Sequence, residues 1–198
     1  MLRAREGCRE SFRVLVTRHQ RGVLSFVSRS IRNRDDAEDV AQEVFLQAWQ
    51  GIDRHDPRWR FSTWLYTIAA RRVASRLRRV ELVSQPDGAG ELEAGVDPAD
   101  AATKSDEARA LWRLADEVLT PDQRHALWLH YAEDLGAGEI ARVLGKSPVA
   151  VRLLLFRARR ALADSVVRRR ELRHRWRTRA AARGDFECRS HHGVRHHA

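Results

Sequence analysis

The apolar residues of this chain recur with the spacing of amphipathic helices. Between Phe12 and Leu162 they return every three or four positions, and alternating runs of β-branched residues bounded by turn pairs do not appear. A first stripe runs from Phe12 to Val27, and a second runs from Ala37 to Ala48. This pattern predicts an all-α protein.

A polar segment interrupts the helical pattern near the middle of the chain. From Glu81 to Ala110 the sequence has 8 acidic residues against 2 basic ones and few large apolar side chains. Such a segment cannot bury enough surface to offset the entropy of ordering it. We therefore expect two small helical domains, at 8–80 and 107–165, joined by a flexible acidic linker at 81–106 and followed by a disordered basic tail at 166–198.

The second half of the chain carries the local signals of a helix-turn-helix. Thr120, Pro121 and Gln123 form a capping box with proline at the first helical position, which marks a helix start. Further on, Gly145 can end a short helix in a left-handed conformation, and Ser147 can cap the next helix. That helix should turn one face outward, and we predict DNA contacts there from Ser147, Val149, Arg152, Leu153, Phe156, Arg157 and Arg160.

Two kinds of side chain share that outward face. Arginines suit guanine edges or phosphates, whereas the apolar members suit thymine methyl groups. Alternatively, the apolar members pack on the linker or on a partner protein. A helical hairpin inside a larger core would show the same spacing, so the motif by itself leaves DNA binding open.

The distribution of charge favours a polyanionic partner. The net charge is +10, and the stretch from Arg157 to Ala198 holds 13 arginines against 4 acidic residues. Phosphate contacts release counterions, so a basic end attracts nucleic acid, although a solubilising tail is the alternative. The tail also contains Cys188, His191, His192, His196 and His197. Their loose spacing is a poor match to a metal site, and we predict no metal and no cofactor.

Several classes of protein are disfavoured by what the sequence lacks. No apolar run approaches the ~20 residues that cross a bilayer, and the start lacks a signal-peptide core, so we expect a cytoplasmic protein without membrane insertion. Phosphate loops, HExxH and GxSxG do not occur. His125 and His130 should decorate an amphipathic helix. We therefore expect no enzymatic activity and no small-molecule substrate.

Three segments together resemble the extracytoplasmic-function (ECF) sigma factors, the smallest members of the sigma-70 family, which direct bacterial RNA polymerase to promoters. The segments are DDAEDVAQEVFLQAW at 35–49, FSTWLYTIA at 61–69 and LTPDQRHALWLHYAEDLGAGEIARVLGKSPVAV at 119–151. The resemblance covers roughly residues 8–165. It implies that the partners are core RNA polymerase, promoter DNA and an anti-sigma factor.

The resemblance also assigns surfaces to the first domain. It implies that core polymerase binds Asp36, Asp39, Gln42 and Glu43, although a solvated face is the commoner fate of such a charge run. It further implies that the minus-ten element is opened and bound by Trp59, Arg60, Arg71, Arg72, Ser75 and Arg78. Aromatic rings and arginine planes can hold unstacked bases at ~1 to 3 kcal/mol each. Phe61 and Trp64 should be largely buried.

In the same resemblance, the helix-turn-helix binds the minus-thirty-five element. The main alternative is an autonomous helix-turn-helix regulator that binds DNA without polymerase, which leaves the acidic helix and the aromatic-rich segment unexplained. A protein-interaction module, such as an inhibitor of transcription, is a further alternative.

Overall fold

All regular secondary structure in the part of the chain that the structure describes is helical. The computed structural model describes residues 2–83 and 106–189, with side chains at 4–80 and 108–171. The first half contains α1 (Leu2–Arg5), α2 (Arg9–Ser28), α3 (Arg34–Gln50), a 3₁₀ turn (Ile52–Arg54) and α4 (Phe61–Val83). The second half contains α5 (Asp106–Val118), α6 (Pro121–Tyr131), α7 (Ala137–Leu144) and α8 (Pro148–Arg189). The predicted all-α class is confirmed.

The helix boundaries of the second half follow from the residues at their ends. At the start of α6, Thr120 Oγ1 accepts from the Gln123 amide at 3.4 Å, and Gln123 Oε1 accepts from the Thr120 amide at 3.0 Å. α7 ends at Gly145, whose φ of 62° is the left-handed conformation that glycine adopts without a steric penalty. Ser147 Oγ then accepts from the Ala150 amide at 3.1 Å. These predicted caps are confirmed.

In the first half, α2, α3 and α4 pack together around an apolar core. Each helix contributes residues at helical spacing, and those that are fully or almost fully buried include Val23, Phe26, Val27, Val40, Val44, Ala48, Leu65, Ile68 and Val73. Asn33 caps α3, because its Oδ1 accepts from the Asp36 amide at 2.9 Å. This packing leaves one face of α3 and one face of α4 in solvent.

The two halves pack against each other, which the sequence did not predict. One continuous cluster of buried apolar residues extends through both halves, from Val23 in α2 to Leu162 in α8. The most extensive contact between a helix of the first half and a helix of the second half lies between α4 and α7. The predicted linker lies almost entirely outside the described residues, at 84–105. The domains that it connects are in direct contact rather than separate.

Helix α8 continues well past the end of the helix-turn-helix. It runs without a break to Arg189, whereas the sequence led us to expect a disordered tail from residue 166. The difference has a local cause, since Pro and Gly are absent from Val149 to Arg183 and this stretch is rich in Arg, Ala and Leu, which favour helix. The side chain of Cys188 and residues 190–198, with their histidines, lie outside the described part.

The described residues contain neither a membrane-spanning helix nor a cluster of metal-ligating side chains. No helix in the ranges 2–83 and 106–189 has the length and apolar composition needed to span a membrane. Among the side chains that the structure places, no three His, Cys, Asp or Glu residues are grouped as metal ligands.

Candidate functional site

The outward face of α8 is a candidate DNA-binding surface. Its first turns expose an apolar stripe in which Val149 is 69%, Leu153 is 45% and Phe156 is 59% accessible to solvent. Arg152 and Arg157 are also exposed and border this stripe. The seven predicted minus-thirty-five residues therefore lie in solvent together, with Ser147 also capping the helix.

The opposite face of α8 fixes the orientation of this surface. Val151, Leu155 and Ala158 are buried there, and they pack in the same core as Ile140 and Ala141 of α7. Because the buried and exposed residues alternate with helical periodicity, the helix cannot rotate without exposing its core side. The helix-turn-helix thus holds the apolar stripe and its arginines in a defined position.

The acidic face of α3 is a candidate protein-binding surface. Asp39, Gln42 and Glu43 are exposed, and Leu46, one turn further on, is 58% accessible. The sequence analysis missed Leu46, although it lies four residues after Gln42 and therefore on the same side of the helix. A face that only contacts water needs no apolar side chain, whereas a protein-binding face commonly has one at its centre, surrounded by polar residues.

Two ion pairs connect this acidic face to α4. Glu43 accepts a hydrogen bond from Arg72 at 3.2 Å, and Asp36 pairs with Arg76. Arg72 also donates to Gln47 Oε1 at 2.8 Å. The predicted polymerase-binding group is therefore divided, because Asp36 and Glu43 have partners on α4 whereas Asp39 and Gln42 face solvent.

The outer face of α4 presents a cationic row. Arg71, Ser75 and Arg78 are exposed and follow one another at intervals of four and three residues, so they share one side of the helix. Arg72 does not belong to this row, since it turns towards α3. Three of the six predicted minus-ten residues therefore share this row, whereas Trp59 and Arg60 precede the start of α4.

Trp59 and Arg60 contact the second half of the chain. The Arg142 guanidinium of α7 lies 4.5 Å from the centre of the Trp59 ring, in the geometry of a cation–π contact. Arg60 Nη1 donates to the Asp134 carbonyl at 2.8 Å. In this arrangement α7 therefore covers part of the surface that was predicted to hold minus-ten DNA.

The other aromatic residues of this segment pack inward. Phe61 and Trp64 are half-buried, less than expected, and their rings lie 5.8 Å apart against the core. Tyr66 is fully buried, and burial raises the pKa of its hydroxyl well above the ordinary value, with the nearby Glu133 carboxylate adding to the effect. Trp59, in contrast, does not belong to the buried apolar core.

Arg29, at the end of α2, holds the two halves together. Its guanidinium lies over the rings of both Trp112 of α5 and Trp128 of α6, 4.5 Å and 4.4 Å from their ring centres. Arg29 Nη1 also donates to Asp116 Oδ1 at 3.1 Å. A buried cation with two aromatic faces and a carboxylate is well compensated for its loss of water.

His125 lies in the same contact between the halves. Its ring stacks on Phe26 of α2 at 4.3 Å, and its Nε2 is 3.1 Å from Ser30 Oγ. Burial, together with the positive charge of Arg124, lowers the pKa of His125 to about 4, so the ring is neutral at pH 7. The expectation that His125 decorates an exposed helix face is wrong, because that face of α6 is covered by α2.

Comparison with known proteins matches both halves to one family. The family model for sigma-70 region 2 matches residues 15–81, and the model for sigma-70 region 4 matches residues 110–162. The RNA polymerase sigma factor CarQ of Myxococcus xanthus is 34% identical over 166 residues, covering 83% of this chain and 94% of CarQ. The ECF RNA polymerase sigma-E factor of Escherichia coli K12 is 31% identical over 176 residues, covering 83% and 91%.

A solved structure has a similar fold. CnrH, in complex with the cytosolic domain of CnrY, is 26% identical, covers 83% of this chain and 93% of its own, and gives a TM-score of 0.53. A sigma-70 region 2 followed by a sigma-70 region 4 defines a class of transcription initiation protein. The chain belongs to the sigma-70 family of RNA polymerase sigma factors, within its ECF group. The predicted resemblance and the predicted function as a sigma factor are confirmed.

Proposed function

We propose that this chain binds core RNA polymerase through α3 and directs it to promoters through two DNA-binding surfaces. The observation that carries the proposal is the exposed acidic face of α3, in the same chain as the exposed arginine-bordered face of α8. An autonomous regulator needs only the second of these surfaces. The polymerase then carries out the chemistry, in the cytoplasm, and this chain selects the start site without catalysing a reaction itself.

The polymerase-binding surface consists of Asp39, Gln42 and Glu43 around Leu46. The carboxylates favour a basic partner and steer its approach, while Leu46 provides apolar area to be buried at the centre of the contact. Asp36 contributes indirectly, since its pairing with Arg76 fixes α3 against α4.

The minus-ten surface consists of the cationic row on α4 and the residues that precede it. Arg71 and Arg78 are placed to contact phosphates or base edges, with Ser75 between them. Trp59 offers a stacking face for an unpaired base, and Arg60 a neighbouring positive charge. Arg72 joins this surface to the polymerase-binding face, because it pairs with Glu43.

Promoter binding requires the two halves to separate at α7. Trp59 cannot stack on a base while Arg142 covers its ring, and Arg60 is held by the Asp134 carbonyl. We expect core polymerase to supply the free energy for this separation by binding each half on its own surface. The described arrangement is then the unbound form of the protein.

The contacts that cover Trp59 and Arg60 also give an inhibitor a way to act. CnrH was solved in complex with the cytosolic domain of another protein, CnrY, so a chain of this fold can hold a protein partner. We propose that an anti-sigma factor stabilises the packed arrangement of this chain and so keeps Trp59 and Arg60 from promoter DNA.

The test of the polymerase-binding surface is a charge reversal on α3. Asp39→Arg together with Glu43→Arg should abolish co-purification with core polymerase, because both charges would then repel a basic partner. Glu10→Arg, on α2, is the control, since it reverses one charge at an exposed acid outside this face. Unaltered core binding by the double variant, with helical content unchanged, would remove the assignment of α3.

A further inference from the structure

The exposed stripe on α8 has an unusual arrangement of apolar and charged residues. At 100° per residue, Val149, Leu153 and Phe156 lie within about 60° of one another around the helix. Arg152 and Arg157 lie about 40° beyond this stripe, one on each side. The surface is therefore an apolar centre with a positive border along both edges.

This arrangement fits the major groove of duplex DNA. A helix with its side chains is about 10–12 Å across, and the groove is about 12 Å wide between two phosphate walls. The two arginine borders then meet the two strands, and the apolar centre meets the edges of the bases. A single acidic peptide would satisfy only one of the two positive borders.

The apolar centre restricts which base edges it can meet. Leucine, valine and phenylalanine side chains have no hydrogen-bond donor or acceptor, so packing them on guanine or cytosine would remove polar groups from water without replacement. The C5-methyl group of thymine is the apolar group that the major groove presents. We propose that Leu153 and Phe156, with Val149 at the helix start, select thymine in the minus-thirty-five element by packing on its methyl groups.

This inference rests on the proposed function, because it concerns the DNA that α8 contacts in the polymerase complex. The inference adds the chemical basis of the base preference, which at these positions comes from methyl groups rather than from hydrogen bonds. Arg152 and Arg157 set the affinity and the register of the helix by contacting phosphates, and these contacts carry no sequence information.

The experiment removes the methyl group and nothing else. The full chain and core polymerase would first select upstream elements from a template library randomised in that region, and the selected duplex would then be remade with deoxyuridine at each thymine in turn. Burial of one methyl group predicts about a fourfold weaker binding for each thymine in contact. We expect that loss at one position or more.

Variants of the stripe assign the effect to its residues. Leu153→Ala or Phe156→Ala should bind the thymine template more weakly and should no longer distinguish it from the deoxyuridine template at the position concerned. Leu111→Ala is the matched control, because Leu111 on α5 is 47% accessible and lies outside α8. The control should keep the full fourfold difference.

The outcomes separate this inference from the function on which it rests. If the chain and core initiate at selected promoters but deoxyuridine has no effect, or if the effect persists in both stripe variants, the methyl contact is refuted and the sigma function stands. If stripe variants instead lose binding to a protein while template selection is unchanged, the stripe is a protein-docking surface and the inference fails. Absence of any initiation with core would refute both.

Discussion

Acidification should weaken the packing between the two halves, because His125 is neutral in the folded protein. Its pKa is about 4 in this buried position, against an ordinary value of 6.5. Between these two values the unfolded chain binds a proton that the folded chain does not bind. The free energy of unfolding therefore rises with pH in this window. The contribution of His125 to it is fully present above pH 6.5 and is lost as the pH falls towards 4.

The size of the effect follows from the difference between the two pKa values. A single group contributes about 1.4 kcal/mol per pH unit inside the window, so His125 contributes on the order of 3 kcal/mol in total. Burial also lowers the pKa values of His19 and His55, so these two histidines add a background slope of the same sign. A non-titrating substitution isolates the part that belongs to His125.

His125→Phe is the informative substitution, because a phenyl ring can keep the stack on Phe26 and has no proton to bind. Urea unfolding, followed by tryptophan fluorescence at several pH values from 7.5 to 4.5, should give a shallower dependence of the unfolding free energy on pH for this variant. His130→Gln, on the same helix, should keep the steep dependence of the original chain. Equal slopes for all three proteins would refute the buried position of His125.

Three other substitutions test separate parts of the structure. Gly22→Ala would place a Cβ atom 2.5 Å from both Tyr66 Oη and Glu133 Oε1, so it should lower stability by about 1–3 kcal/mol, and an unchanged urea midpoint would contradict the close approach of these two side chains to α2. Thr120→Ala removes the cap of α6 and should cost about 1 kcal/mol in thermal or urea unfolding. Arg152→Ala with Arg157→Ala should flatten the salt dependence of upstream-element binding by up to about two units, whereas an unchanged slope would show that neither contacts phosphate.

The parts of the fold that were predictable depend on neighbours in the sequence. Thr120 and Gln123 cap a helix across three residues, and Gly145 ends one through its own backbone conformation. The buried and exposed sides of α8 likewise follow from helical spacing. Such signals are complete within a few residues, so the sequence alone was enough to place them.

The contact between the halves could not be predicted because its partners are far apart in sequence. Arg29 and Asp116 are separated by 87 positions, and Ser30 and His125 by 95. No local pattern distinguishes a histidine that will be stacked in a core from one on an exposed helix face. Leu46 was missed for a different reason, since a single apolar residue on a polar helix face gives no periodic signal.

The central claim is that an acidic face on α3 binds core polymerase while α4 and α8 select the promoter. Transcription by core polymerase on templates randomised at both upstream elements tests it most directly. The account predicts that adding this chain yields defined start sites with two conserved elements at a fixed spacing, and that the α3 double variant yields none. Start sites that are the same with and without the chain would contradict it.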